Sequence, residues 1–289
     1  MQQIRILPLG GCLLHRPLGD FGKFKFNVRA RVGTGGSVRE NYSFSEMIQF
    51  IRMLRGEIVL PPEIKELAGM DARFEPLPGI GDFANVDVVL VEPSTPIDIV
   101  LGDYLLNRTA IIARIVGPIR AANPEPKFAR MSNYWMTKGL YAGDVAVQQS
   151  LGAELAERFP GAMPLADVAR DVLMNARAVQ RDVAQGLGEL RAMIDRPMGV
   201  LTFIFQYLPD GRPVSWPAGF RDDVLAAATA LNLPVFEPWR LVEQYGVATT
   251  LKDDLRHYKD EFMPTVSQAI VDFAAEVMAE RPAAACAVA

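Results

Sequence analysis

Cysteine and histidine are scarce in this chain. Its 289 residues include two of each. Cys12 and Cys286 lie near opposite ends, and Cys286 falls in the low-complexity segment 282–289. Neither a structural disulfide nor a metal cluster is therefore expected. Long hydrophobic runs are missing too, since nothing approaches the roughly 18–20 uninterrupted apolar residues of a membrane span. The first apolar run is short and lacks the basic flank and long core of an export signal, so it reads as a strand. Positive charge is not in surplus: 30 Lys plus Arg stand against 34 Asp plus Glu, a formal net charge of -4. Nucleic acid therefore gains no general attraction. The expectation is a cytoplasmic protein with neither a membrane nor a nucleic-acid partner.

Half of the residues are hydrophobic, enough for a substantial core. Residues 3–9 carry Ile4, Ile6 and Leu7 and stop at Gly10-Gly11, the pattern of a buried strand ending in a tight turn. Residues 23–32 alternate basic and apolar positions and read as a strand or hairpin with one wet face. Ser43-Phe44-Ser45-Glu46 is a capping box, followed by Met47, Ile48, Ile51 and Leu54 at helical spacing. Residues 74–77 form a short strand candidate and 86–92 a clear one, β-branched and closed by Pro93. From about 136 to 196 the spacing turns helical, including Val179, Val183, Leu187 and Leu190, and reads as a helical insertion. Strand character returns at 199–205 and 233–236, separated by a helix at 221–231, and a last helix covers 263–278.

Short apolar strands alternating with helices predict an α/β fold: three layers, α/β/α, around a mostly parallel, roughly five-stranded flavodoxin-like sheet. One domain is expected over 1–280, with a flexible tail at 281–289. Ligands on such sheets bind beyond the carboxyl ends of the strands. Cys12 follows the first strand and Asp254-Leu255-Arg256-His257 follows the fifth, so topology places both on one edge.

These residues supply a thiol, an imidazole and a carboxylate, the minimum set for a nucleophile activated by an oriented base. With two histidines in the chain, the base is His257 or His15. His15 lies only three residues beyond Cys12, which suits a substrate contact or structural role better. Asp254 is the preferred orienter of His257, with adjacent Asp253 second. Glycines at 10 and 11 allow backbone amides to turn toward a developing oxyanion.

Gly10-Gly11-Cys12-Leu13 after the first strand and Asp254-x-x-His257 before the last helix resemble the nucleophile and base motifs of the SGNH, or GDSL-like, hydrolase superfamily, with cysteine in place of the nucleophilic serine. Residues 221–238 resemble that family's fourth helix and fifth strand. The resemblance implies an acyltransferase, esterase or thioesterase working through a covalent acyl-enzyme on a small-molecule or carrier-linked acyl substrate. No tightly bound cofactor is implied; coenzyme A or another acyl thioester is the implied co-substrate. The resemblance then implies oxyanion donors at the backbone of Gly11 to Leu13 and at Gly81 or Gly79. The third strand ends in Glu92-Pro93-Ser94-Thr95 where the family places an Asn, so either Ser94 or Thr95 donates the remaining bond or the oxyanion hole is differently built.

Glu92 reads either as a pocket carboxylate or as a helix cap. Arg221, Arg108 and the basic stretch 16–39 are candidate clamps for an anionic substrate, and Trp216 a pocket wall. The absent Asn favours an alternative, a catalytically silent SGNH-like module that binds a carbohydrate, peptide or partner protein. A redox or nucleotide-binding flavodoxin-like protein is weaker still, because Gly33-Thr34-Gly35-Gly36 lacks the register of a dinucleotide fingerprint.

Overall fold

The computed structural model describes residues 3–19, 28–30, 32–34, 40–202, 206–208, 212–214 and 218–280. Trp216, Cys286 with its tail, and most of the basic stretch 16–39 lie outside the described residues.

Five strands form one parallel sheet: β1 (Ile4–Gly10), β2 (Val28–Arg29), β3 (Val88–Glu92), β4 (Met198–Leu201) and β5 (Val235–Phe236). Their spatial order is 2-1-3-4-5. Side chains along a strand point alternately to its two faces, and here that alternation divides the core in two. Leu7, Leu9, Val89, Val91 and Val200 enter one cluster, with helices α2 (Phe44–Leu54), α3 (Val183–Met193) and α4 (Phe220–Ala230). Ile6, Val88, Leu90 and Leu201 enter the other, with α1 (Cys12–Gly19) and α5 (Met263–Ala279). The fold is thus α/β with helices on both faces. Burial on both faces is why β3 reads as an unbroken apolar run rather than an alternating one.

The capping box at α2 forms with one displacement. Ser43 Oγ accepts from the Glu46 amide at 3.1 Å, but the Glu46 carboxyl reaches one residue further back, to the Tyr42 amide at 3.1 Å. Asn107 Nδ2 also donates to Glu46 at 3.0 Å, and Ser43 donates to the buried Asp98 at 2.6 Å. The helix start is therefore locked to the segment that follows β3.

That segment differs from the helical insertion expected at 136–196. It fills the whole crossover from β3 to β4, its helices begin at Arg108, and it contains a three-stranded antiparallel sheet of Ile97–Leu101, Tyr104–Leu106 and Arg177–Gln180. Val179, read as a helical position, lies in the last of these strands, where it pairs with Asp98. Tertiary pairing there overrides a 3.6-residue spacing that a β-branched residue fits poorly. The expected strand at 74–77 shrinks to Glu75–Pro76, which pairs with Gly33–Thr34 outside the main sheet. Phe74 instead turns inward against Phe50, their ring centres 6.0 Å apart. Among the described residues, no helix is long and apolar enough to cross a membrane.

Candidate functional site

In a sheet of order 2-1-3-4-5 the chain leaves β1 toward one side and β3 toward the other, and the crevice between their carboxyl ends is the natural ligand position. Gly10, the last residue of β1, lies opposite Glu92, the last of β3. The two chains separate tightly here. A Cβ on Gly10 would fall 2.6 Å from Glu92 Cβ, and one on Gly11 would fall 2.7 Å from Ser94 Oγ. Only glycine permits this approach, and it delivers Cys12 to the first position of α1, half-buried, at the mouth of the crevice.

Beneath Cys12 sits Glu92, with no exposed surface. Its Oε2 accepts from the Leu14 amide at 2.7 Å, and the amides of Gly11 and Leu13 also stabilise its charge. Burial nevertheless pushes this carboxyl well above the usual carboxylate range. Of the two roles expected for Glu92, the helix cap is the one its hydrogen bonding describes. The amides of Gly11 and Leu13, expected as oxyanion donors, face this carboxyl group.

The Cys12 thiol is pushed up by burial first, then by the Glu92 and Glu40 carboxylates, with Arg16 pulling weakly the other way. It therefore rests as a thiol. His15, on the following turn of α1, makes no hydrogen bond to Cys12. Burial drives its imidazole down to about 4, so it is neutral, and its Nε2 has no partner.

The second group of candidate residues lies on the loop between β5 and α5. Asp254 organises it: Oδ1 accepts from the Arg256 and His257 amides at 2.9 and 3.1 Å, while Oδ2 lies 2.7 Å from His257 Nδ1. Partial burial opposes ionisation of Asp254, but these bonds outweigh it and hold the carboxyl down to about 2. Leu255, between the two, has φ +56°, an outlier for a branched side chain that the surrounding bonds must hold in place. Its side chain packs into the same apolar cluster as Cys12. The loop is anchored to the carboxyl edge by Tyr258 Oη donating to the Pro238 carbonyl at 3.1 Å, and to α1 by Arg16 at 3.6 Å from Asp260. Asp254, not Asp253, carries the imidazole. No described residue bonds to His257 Nε2, and no hydrogen bond joins His257 to Cys12.

Three expected residues are engaged elsewhere. Gly81 lies before β3, at the amino edge of the sheet, where its carbonyl accepts from Arg55 and its Cα packs against the end of α2. Arg221 is neutralised by Glu237 and stacks on Trp239, 5.8 Å from its ring centre, so its charge is already spent. Arg108 likewise lies over the Tyr141 ring, at 5.7 Å.

Six buried side-chain atoms among the described residues lack a hydrogen-bond partner: His15 Nε2, Asn41 Nδ2, Glu92 Oε1, Ser94 Oγ, Thr202 Oγ1 and Arg221 Nε. Leaving such a group unpaired costs about 1–3 kcal/mol, and native proteins hold few. All six belong to the carboxyl edge. Glu92 and Ser94 are at the end of β3, Thr202 directly follows β4, and Arg221 is bonded to Glu237 just past β5. Asn41 donates its amide to the Gly10 carbonyl at 2.8 Å. Asn41 was not singled out in the sequence; the available signal was a polar Glu40-Asn41-Tyr42 segment directly before a helix cap. No group of three or more His, Cys, Asp or Glu among the described residues is placed to hold a metal ion.

A family model described as the TviD N-terminal domain matches residues 4–273. The chain belongs to that family. The match to the TviD N-terminal domain spans β1 through most of α5, and so takes in both Cys12 and the loop of Asp254 and His257. No curated protein and no solved structure matches the chain.

Proposed function

We propose that this TviD N-terminal domain is an acyl-transfer enzyme with Cys12 as nucleophile, His257 as general base and acid, and Asp254 as the group that orients His257. The observation that carries this reading is the 2.7 Å contact between Asp254 Oδ2 and His257 Nδ1, on a loop tied to the helix that Cys12 opens. An imidazole held through Nδ1 presents Nε2 as an acceptor, and the carboxylate stabilises the imidazolium that forms. Family membership supports a place in Vi antigen biosynthesis, where acyl transfer to an acceptor hydroxyl is a fitting step.

Because the thiol is held protonated, its proton must leave during attack, as in a serine enzyme, rather than from a standing thiolate–imidazolium pair. Cys12 Sγ bonds to the carbonyl carbon of an acyl thioester or ester while His257 Nε2 takes the thiol proton. The carbonyl electron pair moves to oxygen. Collapse of this tetrahedral species breaks the bond to the leaving thiol or alcohol, which receives the proton from His257. Water or an acceptor hydroxyl then attacks the acyl-Cys12 bond, its proton passing to His257 and on to the departing Cys12 sulfur. Coenzyme A thioesters suit this scheme as donors.

The test is intact-mass analysis after exposure to a panel of acyl thioesters and activated esters. One acyl mass on the native chain, absent from Cys12→Ala, is expected. An adduct that persists in Cys12→Ala removes Cys12 from the role.

A second reading, a silent module that binds a carbohydrate, peptide or partner protein, draws on the missing hydrogen bond between Cys12 and His257. A chain that takes up no acyl group from any donor yet retains a ligand favours it.

A further inference from the structure

The geometry points to an oxyanion hole built from two side chains, the Asn41 carboxamide and the Ser94 hydroxyl, in place of the helix amides behind the nucleophile. This inference rests on the acyl-transfer reading and adds to it the groups that hold the tetrahedral oxygen.

The first step is an exclusion. Enzymes of this kind commonly hold the oxyanion with backbone N–H groups beside the nucleophile. Here the amides of Gly11, Leu13 and Leu14 are engaged by the buried Glu92 carboxyl, with Leu14 at 2.7 Å. Amides already spent on the Glu92 carboxyl are not free to receive a second acceptor, and withdrawing them would leave that buried group further unpaired.

The second step is a supply of donors. Asn41 is 3% exposed and Ser94 5%, and Asn41 Nδ2 and Ser94 Oγ have no partner. Both flank the turn that carries Cys12. Asn41 donates its own amide to Gly10, and Ser94 Oγ occupies the space beside Gly11. They are also tied to each other through Tyr42, whose carbonyl accepts from the Ser94 amide at 2.7 Å and the Thr95 amide at 3.1 Å. One carboxamide N–H and one hydroxyl, carried on backbone that is hydrogen-bonded to the turn and to itself, give two unspent donors whose positions are set before the reaction. Such preorganisation is what makes an oxyanion hole effective. It also accounts for the absence of Asn at the end of β3: the carboxamide comes from the loop before α2 instead.

The experiment compares two reactions of one thiol. Acylation of Cys12 by an acyl thioester passes through an oxyanion; alkylation by iodoacetamide does not. Asn41→Ala is expected to slow acylation by about 10²–10³-fold and Ser94→Ala by at least about tenfold. Alkylation of Cys12 should stay within about twofold of the native rate in both. Unchanged acylation in the variants overturns the proposal. So does an equal fall in both reactions, which would mean that these residues act on the thiol or the fold. Should Asn41→Ala not fold, Ser94→Ala decides, because it removes a single oxygen. A native chain that never accepts an acyl group from any donor overturns the acyl-transfer reading itself, an outcome separate from a native chain that acylates and variants that do so equally fast.

Discussion

Glu92 lies directly across from Gly10 in the neighbouring parallel strand, and its carboxyl group passes under the turn beyond Gly10 to take the Leu14 amide. This relationship fixes the start of α1 and hence the place of Cys12. It requires that nothing project from Gly10 or Gly11.

Gly10→Ala is accordingly expected to destabilise the protein severely. Its Cβ would sit 2.6–2.9 Å from three Glu92 atoms, two of them backbone. Overpacking of this kind costs about 1–3 kcal/mol or more. Gly11→Ala meets the Ser94 hydroxyl, which can rotate away, so it should cost less. Thermal unfolding of the two variants measures the order, and equal stabilities would contradict it.

The buried acids set a pH dependence. Glu92 is raised above its ordinary 4.5 and Glu46 to about 8, burial being the first cause for both. A carboxyl with a raised folded pKa binds its proton more tightly when folded. Its contribution is complete below about 4.5 and is lost as pH rises through the folded value. Glu46→Gln should therefore flatten the fall in melting temperature between about pH 5 and 8 while keeping an acceptor for Tyr42. A melting profile as steep as the native one would show that Glu46 does not titrate there.

Much of this was legible in the sequence. Residues 86–92 announce a doubly buried strand, and Ser43-x-x-Glu46 announces the start of α2, because each signal is local. Asp254-x-x-His257 is local as well: three residues suffice to close the carboxylate onto the imidazole. What could not be read depends on tertiary placement. Val179 has helical spacing and a β-branched side chain, and only pairing with Asp98 decides between them. Gly81 looks like Gly11 in sequence but lies at the other edge of the sheet. Asn41 gains its meaning from one hydrogen bond to Gly10, and nothing near it in the chain reports that contact.

Alkylation of Cys12 by iodoacetamide should have a midpoint above the roughly 8.5 of a free cysteine, because burial, Glu92 and Glu40 all oppose the thiolate. Glu40→Gln removes one of the opposing charges and should move the midpoint down. Peptide mass spectrometry separates this labelling from that of Cys286. A midpoint below that of a free cysteine would contradict the electrostatics described.

Asp254→Asn is expected to slow acylation by about 10²-fold or more, since the amide can bond the imidazole but cannot stabilise its charged form. Asp253→Asn should leave the rate nearly native, because Asp254 alone contacts the ring. A larger loss at Asp253 would exchange their roles.

The contact between Ser267 and the Pro17 carbonyl, at 3.1 Å, joins residues 250 apart in sequence. Helices α1 and α5 are thus early and late parts of the domain to be synthesised. A ribosome delivers the cysteine early and the imidazole only when nearly the whole domain has emerged. The packing of α1 on α5 is therefore made only once nearly the whole domain is available, and the setting of Cys12 is a property of the finished fold.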